Sequence, residues 1–133
     1  MDPRMTTMMS GESMAMPGMN TIDMEVLQAC IDACAACEQA CAVCAVQEMS
    51  CAPACMNCAD MCHTMMRALL RMQGMTPAAM MSMLDACIAV CEMCEDECLE
   101  HAAHSVVCEM CAQACRACAD ACMALKDAMS MAA

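Results

Sequence analysis

The chain has 133 residues, enough for a single domain to bury a core without disulfides, and a net charge of -12 with only five Lys and Arg. So few cations exclude nucleic acid, whose phosphates require clustered Lys and Arg. There is no Phe, Tyr or Trp, and the 62% apolar fraction rests on 23 Met and 18 Cys together with Ala, so packing alone gives a thin core of small side chains that something else is expected to fill.

The first twenty residues hold seven Met with Gly11, Pro17 and Gly18, and read as a flexible tail or a loosely docked arm, separate from a domain over 21–133. Their thioethers are soft-metal donors. This segment has one Arg, no twin-Arg pair and no continuous apolar stretch, so it is not an export signal, and the protein is expected in the cytoplasm. No uninterrupted apolar segment reaches membrane-spanning length, because charged or polar residues break every candidate, and no membrane is expected as a partner.

A first long helix is predicted from Asn20 or Thr21, which cap it while Asp23 and Glu25 favour its positive end, to about Val46. It carries Cys30, Cys34, Cys37, Cys41 and Cys44, in alternating steps of four and three that mark one helix face. Gln28, Asp32, Glu38 and Gln39 lie off that stripe, as a solvent face does. Pro53 forbids one uninterrupted helix through the next cysteines, so a turn is placed at 47–50, with Ser50 capping and Pro53 in the following first turn. The second helix holds Cys51, Cys55, Cys58 and Cys62 and is predicted to run to about Met72 and stop at Gly74. Thr76 and Pro77 start a third, holding Cys87, Cys91, Cys94 and Cys98, to about Glu100. Ser105 is the cap of a fourth, holding Cys108, Cys111, Cys115, Cys118 and Cys122, to about Met129.

The fold class that follows is all-α, an up-down-up-down four-helix bundle with a cysteine-lined interior. The cysteines lie late in the first and third helices and early in the second and fourth, so this topology gathers them at one end. Ile22, Val26, Leu27, Met65, Met66, Leu69, Leu70, Met80, Met83, Leu84, Leu125 and Met129 make an apolar plug at the other. At the thiol end, His101 follows Cys98 by three and His104 precedes Cys108 by four; with Met49 they form a candidate mouth where a soft ion first binds. His63 follows Cys62 directly and points away from the stripe. The acidic run Glu92, Glu95, Asp96, Glu97 and Glu100 reads as a solvated helix face with, at most, a weak pull on cations.

In a reducing compartment such cysteine density indicates metal rather than disulfides. Helical neighbours place Cβ atoms about 5 to 6 Å apart, beyond the ~3.5 to 4.5 Å of a disulfide, although pairs between helices remain open. Zinc asks four ligands to converge, usually from loops and short knuckles, whereas a helical stripe supplies thiols in a row that suits Cu(I), content with two or three sulfurs. With each thiolate bridging about two ions, copper and sulfur approach one to one, roughly 18 ions per chain, and the buried charge nearly cancels. Empty, protonated thiols are small hydrophobes that let the bundle fold. The same ligands also suit metallothionein-like Zn or Cd sequestration. A thiol redox protein is a further alternative, though CxxC pairs such as Cys34 and Cys37 lack a strand-loop-helix setting. Ferredoxin-like loops are absent, cysteine as mere filler does not explain four matched runs, and no HExxH, phosphate loop or GxSxG points to an enzyme.

The repeated CxxxCxxC helices, the chain size, the Met and Ala richness and the missing export signal resemble the cytosolic copper storage proteins of bacteria over about residues 21 to 130. All eighteen cysteines fall on that pattern. The resemblance implies a homotetramer of four-helix bundles, many Cu(I) ions along each bundle axis held mostly by thiolates, and loading at the end carrying His and Met. Exported members carry a twin-Arg signal, which this sequence lacks. A copper chaperone or chelator is the partner expected for loading and removal.

Overall fold

The computed structural model describes residues 2–9, 16 and 22–132. Among the described residues five helices follow one another: α1 (Pro3–Met8), α2 (Met24–Gln47), α3 (Ala52–Leu69), α4 (Pro77–Leu99) and α5 (Val106–Ala132), with 3-10 turns at Met49–Cys51 and Met72–Gly74. Among the described residues there is no strand. The four long helices are joined by connections of four, seven and six residues, too short for anything but antiparallel neighbours. They pack as a ring in which α2 touches α3 and α5, and α4 touches α5 and α3.

The start of α2 lies later than the sequence suggested. Asn20 and Thr21 fall outside the described residues, and the cap is Asp23, whose carboxylate accepts the Glu25 N–H at 2.9 Å. Between α2 and α3 Ser50 does not cap. The chain tightens into a 3-10 turn, Cys51 takes the position before the helix with no side-chain cap bond, and Pro53 sits in the first turn. Turning the Cys51 thiol inward outweighs the cap that Ser50 would have supplied, and Ser50 stays exposed. Helix α3 ends at Leu69 rather than Met72. The N–H groups of Leu70 and Arg71 reach back only three residues, and the resulting turn carries Met72 into the core.

The other two starts agree with their cap chemistry. Thr76 Oγ1 accepts the Ala79 N–H at 3.2 Å, with Pro77 as first helical residue, and Ser105 Oγ accepts the Cys108 N–H at 3.1 Å. Helix α5 runs three residues beyond Met129.

At the end away from the thiols, Ile22, Leu27, Met65, Leu69, Met80, Leu84, Leu125 and Met129 are buried, and Val26, Met66, Leu70 and Met83 pack against them. Met9 and Met16 join this core. Helix α1 is capped by Asp2, which accepts the Arg4 N–H at 2.8 Å, and is tied to α2 where Gln28 Nε2 donates to Thr6 Oγ1 at 3.2 Å.

Two helices, α2 and α4, are long and apolar enough to cross a membrane by length and composition, contrary to the expectation that polar residues break every candidate. Their hydropathy comes largely from Ala and from the Cys stripe, and in the bundle that stripe faces the interior of the ring.

Candidate metal centre

A step of three or four residues returns each cysteine to the same face of its helix, and the four faces meet along the bundle axis. All eighteen thiols are buried and none is in a disulfide. Nearest the turns at residues 48–51 and 100–105, Cys44, Cys51 and Cys108 form a triangle, with 3.5 Å between the sulfurs of Cys44 and Cys51, 3.8 Å between Cys51 and Cys108 and 3.9 Å between Cys44 and Cys108. Cys44 also belongs to a four-sulfur group with Cys55, Cys98 and Cys111. Deeper groups are Cys41, Cys94, Cys111, Cys115, then Cys37, Cys41, Cys58, Cys115, then Cys37, Cys58, Cys62, Cys91. Within each group all sulfurs lie within 4.8 Å of one another. Cys62 is 3.8 Å from Cys118, which enters the group Cys34, Cys87, Cys118, Cys122, and Cys30 closes the column 3.7 Å from Cys122. The eighteen sulfurs are one connected network running from the turns to the apolar plug.

Its electrostatics are those of ligands without a cation. Burial pushes the thiols of Cys44, Cys51 and Cys108 up, toward the neutral form. Deeper in the column a sulfur holds charge only while its neighbours keep their protons. Cys122 and Cys34 together pull the Cys30 thiol down to about 5, and the thiols of Cys34 and Cys122 are themselves pushed up by their sulfur neighbours. Cys37, Cys58, Cys87, Cys94, Cys111 and Cys118 are also lowered through their sulfur neighbours, so raised and lowered thiols alternate through the column, and an entering cation replaces the protons of the raised ones.

The three mouth candidates lie at the expected end but on its surface. Met49 is 76% exposed, His104 is exposed and His101 is half-buried. The two histidines ride on a turn that extends α4, where the His101 N–H donates to the Cys98 carbonyl and the His104 N–H to the His101 carbonyl. None of the three belongs to the four-thiol groups above. His63 points outward and pairs with Glu38 of α2 at 2.7 Å.

The acidic run on α4 is less solvated than its composition implied. Glu92 and Glu95 hold Arg116 of α5 at 3.6 and 3.2 Å, and Arg116 also pairs with Asp120 at 3.2 Å. Sequence reasoning passed over Arg116; the available signal was an isolated cation one turn before an acid on a helix otherwise poor in charge. Lys126 similarly pairs with Asp85.

A family model described as copper storage protein matches residues 19–127. Among solved structures, the copper storage protein Ccsp from Streptomyces lividans loaded with 10 copper equivalents is 36% identical, with 82% of this chain and 89% of that chain covered and a TM-score of 0.78. The structure described as copper loading to a cytosolic copper storage protein from Streptomyces lividans, with five coppers, is 37% identical over 77% of this chain and 93% of that one, TM-score 0.74. A histidine-to-alanine mutant of Ccsp is 35% identical over 83% and 99%, TM-score 0.78. No curated protein matches the chain.

Proposed function

Because this chain belongs to the copper storage protein family, we propose that it stores and buffers Cu(I) in the cytoplasm, holding many ions along the bundle axis on the thiolates of its eighteen cysteines. The observation that carries this reading is the unbroken succession of sulfurs from Cys51 to Cys30 inside one narrow bundle. Thiolate is a soft donor matched to Cu(I). Each Cu(I) that enters replaces a thiol proton, so loading at one ion per sulfur leaves the interior neutral. Roughly 18 ions per chain is the limit this charge balance sets.

Non-catalytic storage accounts for the whole site. Residues 21–133 form the storage unit, and the Met-rich segment 1–20, which contains no cysteine, supplies none of its thiols. His101, His104 and Met49 receive the ion at the mouth before it passes to Cys44, Cys51 and Cys108. The chain assembles as a homotetramer, and a copper chaperone or a small chelator brings and removes the metal.

Zn or Cd sequestration is the second reading, and one observation favours it. A tetrahedral zinc site with Zn–S bonds of about 2.3 Å has sulfur–sulfur edges of about 3.8 Å, which many pairs here match. Zinc, however, needs two thiolates per ion for neutrality, so the same column would saturate at roughly half the number of ions.

The test is an anaerobic titration of reduced protein with Cu(I) against a coloured competing chelator, with Zn(II) run in parallel. Storage of copper predicts high-affinity uptake of ten or more Cu(I) per chain, as many as the Streptomyces lividans relative was loaded with. Saturation at a few ions would reject storage, and tighter, fuller loading by zinc would move the assignment to the second reading.

A further inference from the structure

Sixteen of the eighteen cysteines have no exposed surface, and two, Cys51 and Cys111, each retain 1%. Cys51 is in the turn at the mouth. Cys111 lies inside α5, five residues beyond its first, and forms part of the lining of a groove of about 400 Å³ between α2 and α5. Ala36 and Ala40 of α2 leave this space because their side chains stop at the first carbon, and Gln39, Val43, Val107 and Met110 are among the residues that wall it. Met110 is 47% exposed, so a thioether stands at the surface one residue before a thiol that belongs to the interior.

Cys111 is no isolated cysteine. It belongs to two four-sulfur groups at once, with Cys44, Cys55 and Cys98 on one side and with Cys41, Cys94 and Cys115 on the other, and its sulfur lies 3.7 Å from that of Cys41. An ion arriving at Cys111 therefore reaches the second and third levels of the column without crossing the Cys44, Cys51, Cys108 triangle.

We propose that the α2–α5 groove is a lateral port for Cu(I), with Met110 as its outer donor and Cys111 as the thiol that passes the ion into the column. This rests on the storage reading and adds a second way in to it. The ion exchanges a chelate ligand for the Met110 thioether, which has no proton to lose, and then exchanges that thioether for the sulfur of Cys111, whose thiol proton goes to water; copper stays Cu(I), so no oxidant or reductant takes part. Small walls and a soft donor suit an ion carried by a compact chelate better than one carried by a protein surface.

The port is tested first without metal. Reduced, metal-free full-length protein is treated with limiting iodoacetamide and the modified cysteines are followed by peptide mass spectrometry. Cys51 and Cys111 are expected to react first, with Cys115, which depends on local opening, at least about tenfold slower. Gln39→Trp, at an exposed rim position, and Ala40→Leu, in the groove wall, are each expected to slow Cys111 while leaving Cys51 unchanged; whichever retains its helical circular dichroism is read. Cys111 reacting no faster than Cys115, or equally fast with the groove filled, overturns the port.

Stopped-flow transfer from a small Cu(I) chelate supplies the second arm. With Met49→Leu, His101→Ala and His104→Ala combined, mouth loading is weakened and the loading that remains is expected to pass through the groove, falling at least about tenfold further once Gln39→Trp is added. A rate indifferent to Gln39→Trp in that background overturns the proposal. Failure of the unmutated chain to take up Cu(I) at equilibrium would remove the storage reading instead, and the iodoacetamide order would still decide whether the groove opens onto Cys111.

Discussion

A buried cysteine here has two states, a small apolar side chain when protonated and an anionic ligand when a cation has arrived, and the interior must tolerate both. Cys37 shows what a single position contributes. It sits in two four-sulfur groups, with Cys41, Cys58 and Cys115 and with Cys58, Cys62 and Cys91, so it stands where adjacent ions would share a ligand. Cys37→Ser keeps the size of the side chain and replaces a soft donor with a hard one. The expected result is the loss of about one or two Cu(I) from the titrated capacity, with unchanged helical circular dichroism. Leu84 is the opposite kind of residue, fully buried in the plug and carrying no donor. Leu84→Ala leaves a cavity and should cost about 2 to 5 kcal/mol of metal-free stability by chemical denaturation, with capacity intact. A variant that lost both stability and capacity would show that the plug shapes the column.

At the scale of the helix, capacity should be divisible and stability should not follow it. Replacing Cys51, just before α3, and Cys55, Cys58 and Cys62 within it with Ser removes one wall of the column, and titration should show at least about four fewer Cu(I), the deficit growing where bridged ions lose both partners. Thr76→Ala, which deletes the α4 cap bond, should instead lower stability by about 1 kcal/mol, seen as a drop in Tm of the metal-free protein, and leave the count of ions alone. These elements were legible in the sequence to different depths. The stripes were legible because helical periodicity is a local property, and a cysteine every three or four residues has one geometric consequence. Thr76 and Ser105 were legible because a cap acts within three residues of itself. Ser50 was misread because its competitor was not local: the Cys51 thiol is drawn to Cys44 and to Cys108 on another helix, and that contact sets the turn. For the same reason the pairing of Arg116 with Glu92 and Glu95 and the groove at Cys111 were invisible, since each depends on how closely two helices approach.

The molecule as a whole is a neutralisation device, and its dependence on pH follows from that. The empty column cannot ionise throughout, because eighteen buried thiolates without cations would repel one another and lack water; burial pushes the thiols of Cys44, Cys51 and Cys108 up, and a lowered thiol such as Cys30 depends on neighbours that keep their protons. Every Cu(I) bound must therefore displace protons, and binding draws stability with it, since the folded chain gathers ligands that the unfolded chain disperses. Tm should rise steadily as Cu(I) is added and return when a stronger chelator removes it. The sign for affinity is fixed by the same exchange. Because the free protein carries more protons than the loaded one, lowering the pH favours the free form, and apparent affinity should fall about tenfold per pH unit for each proton displaced. Calorimetry of Cu(I) loading in buffers of different ionisation enthalpy counts those protons directly, and about one per ion is expected across the filling of the column. A count near zero would mean that the thiolates exist before copper arrives, and the interior would then have to balance their charge with other groups, whereas among the described residues no charged side chain is buried.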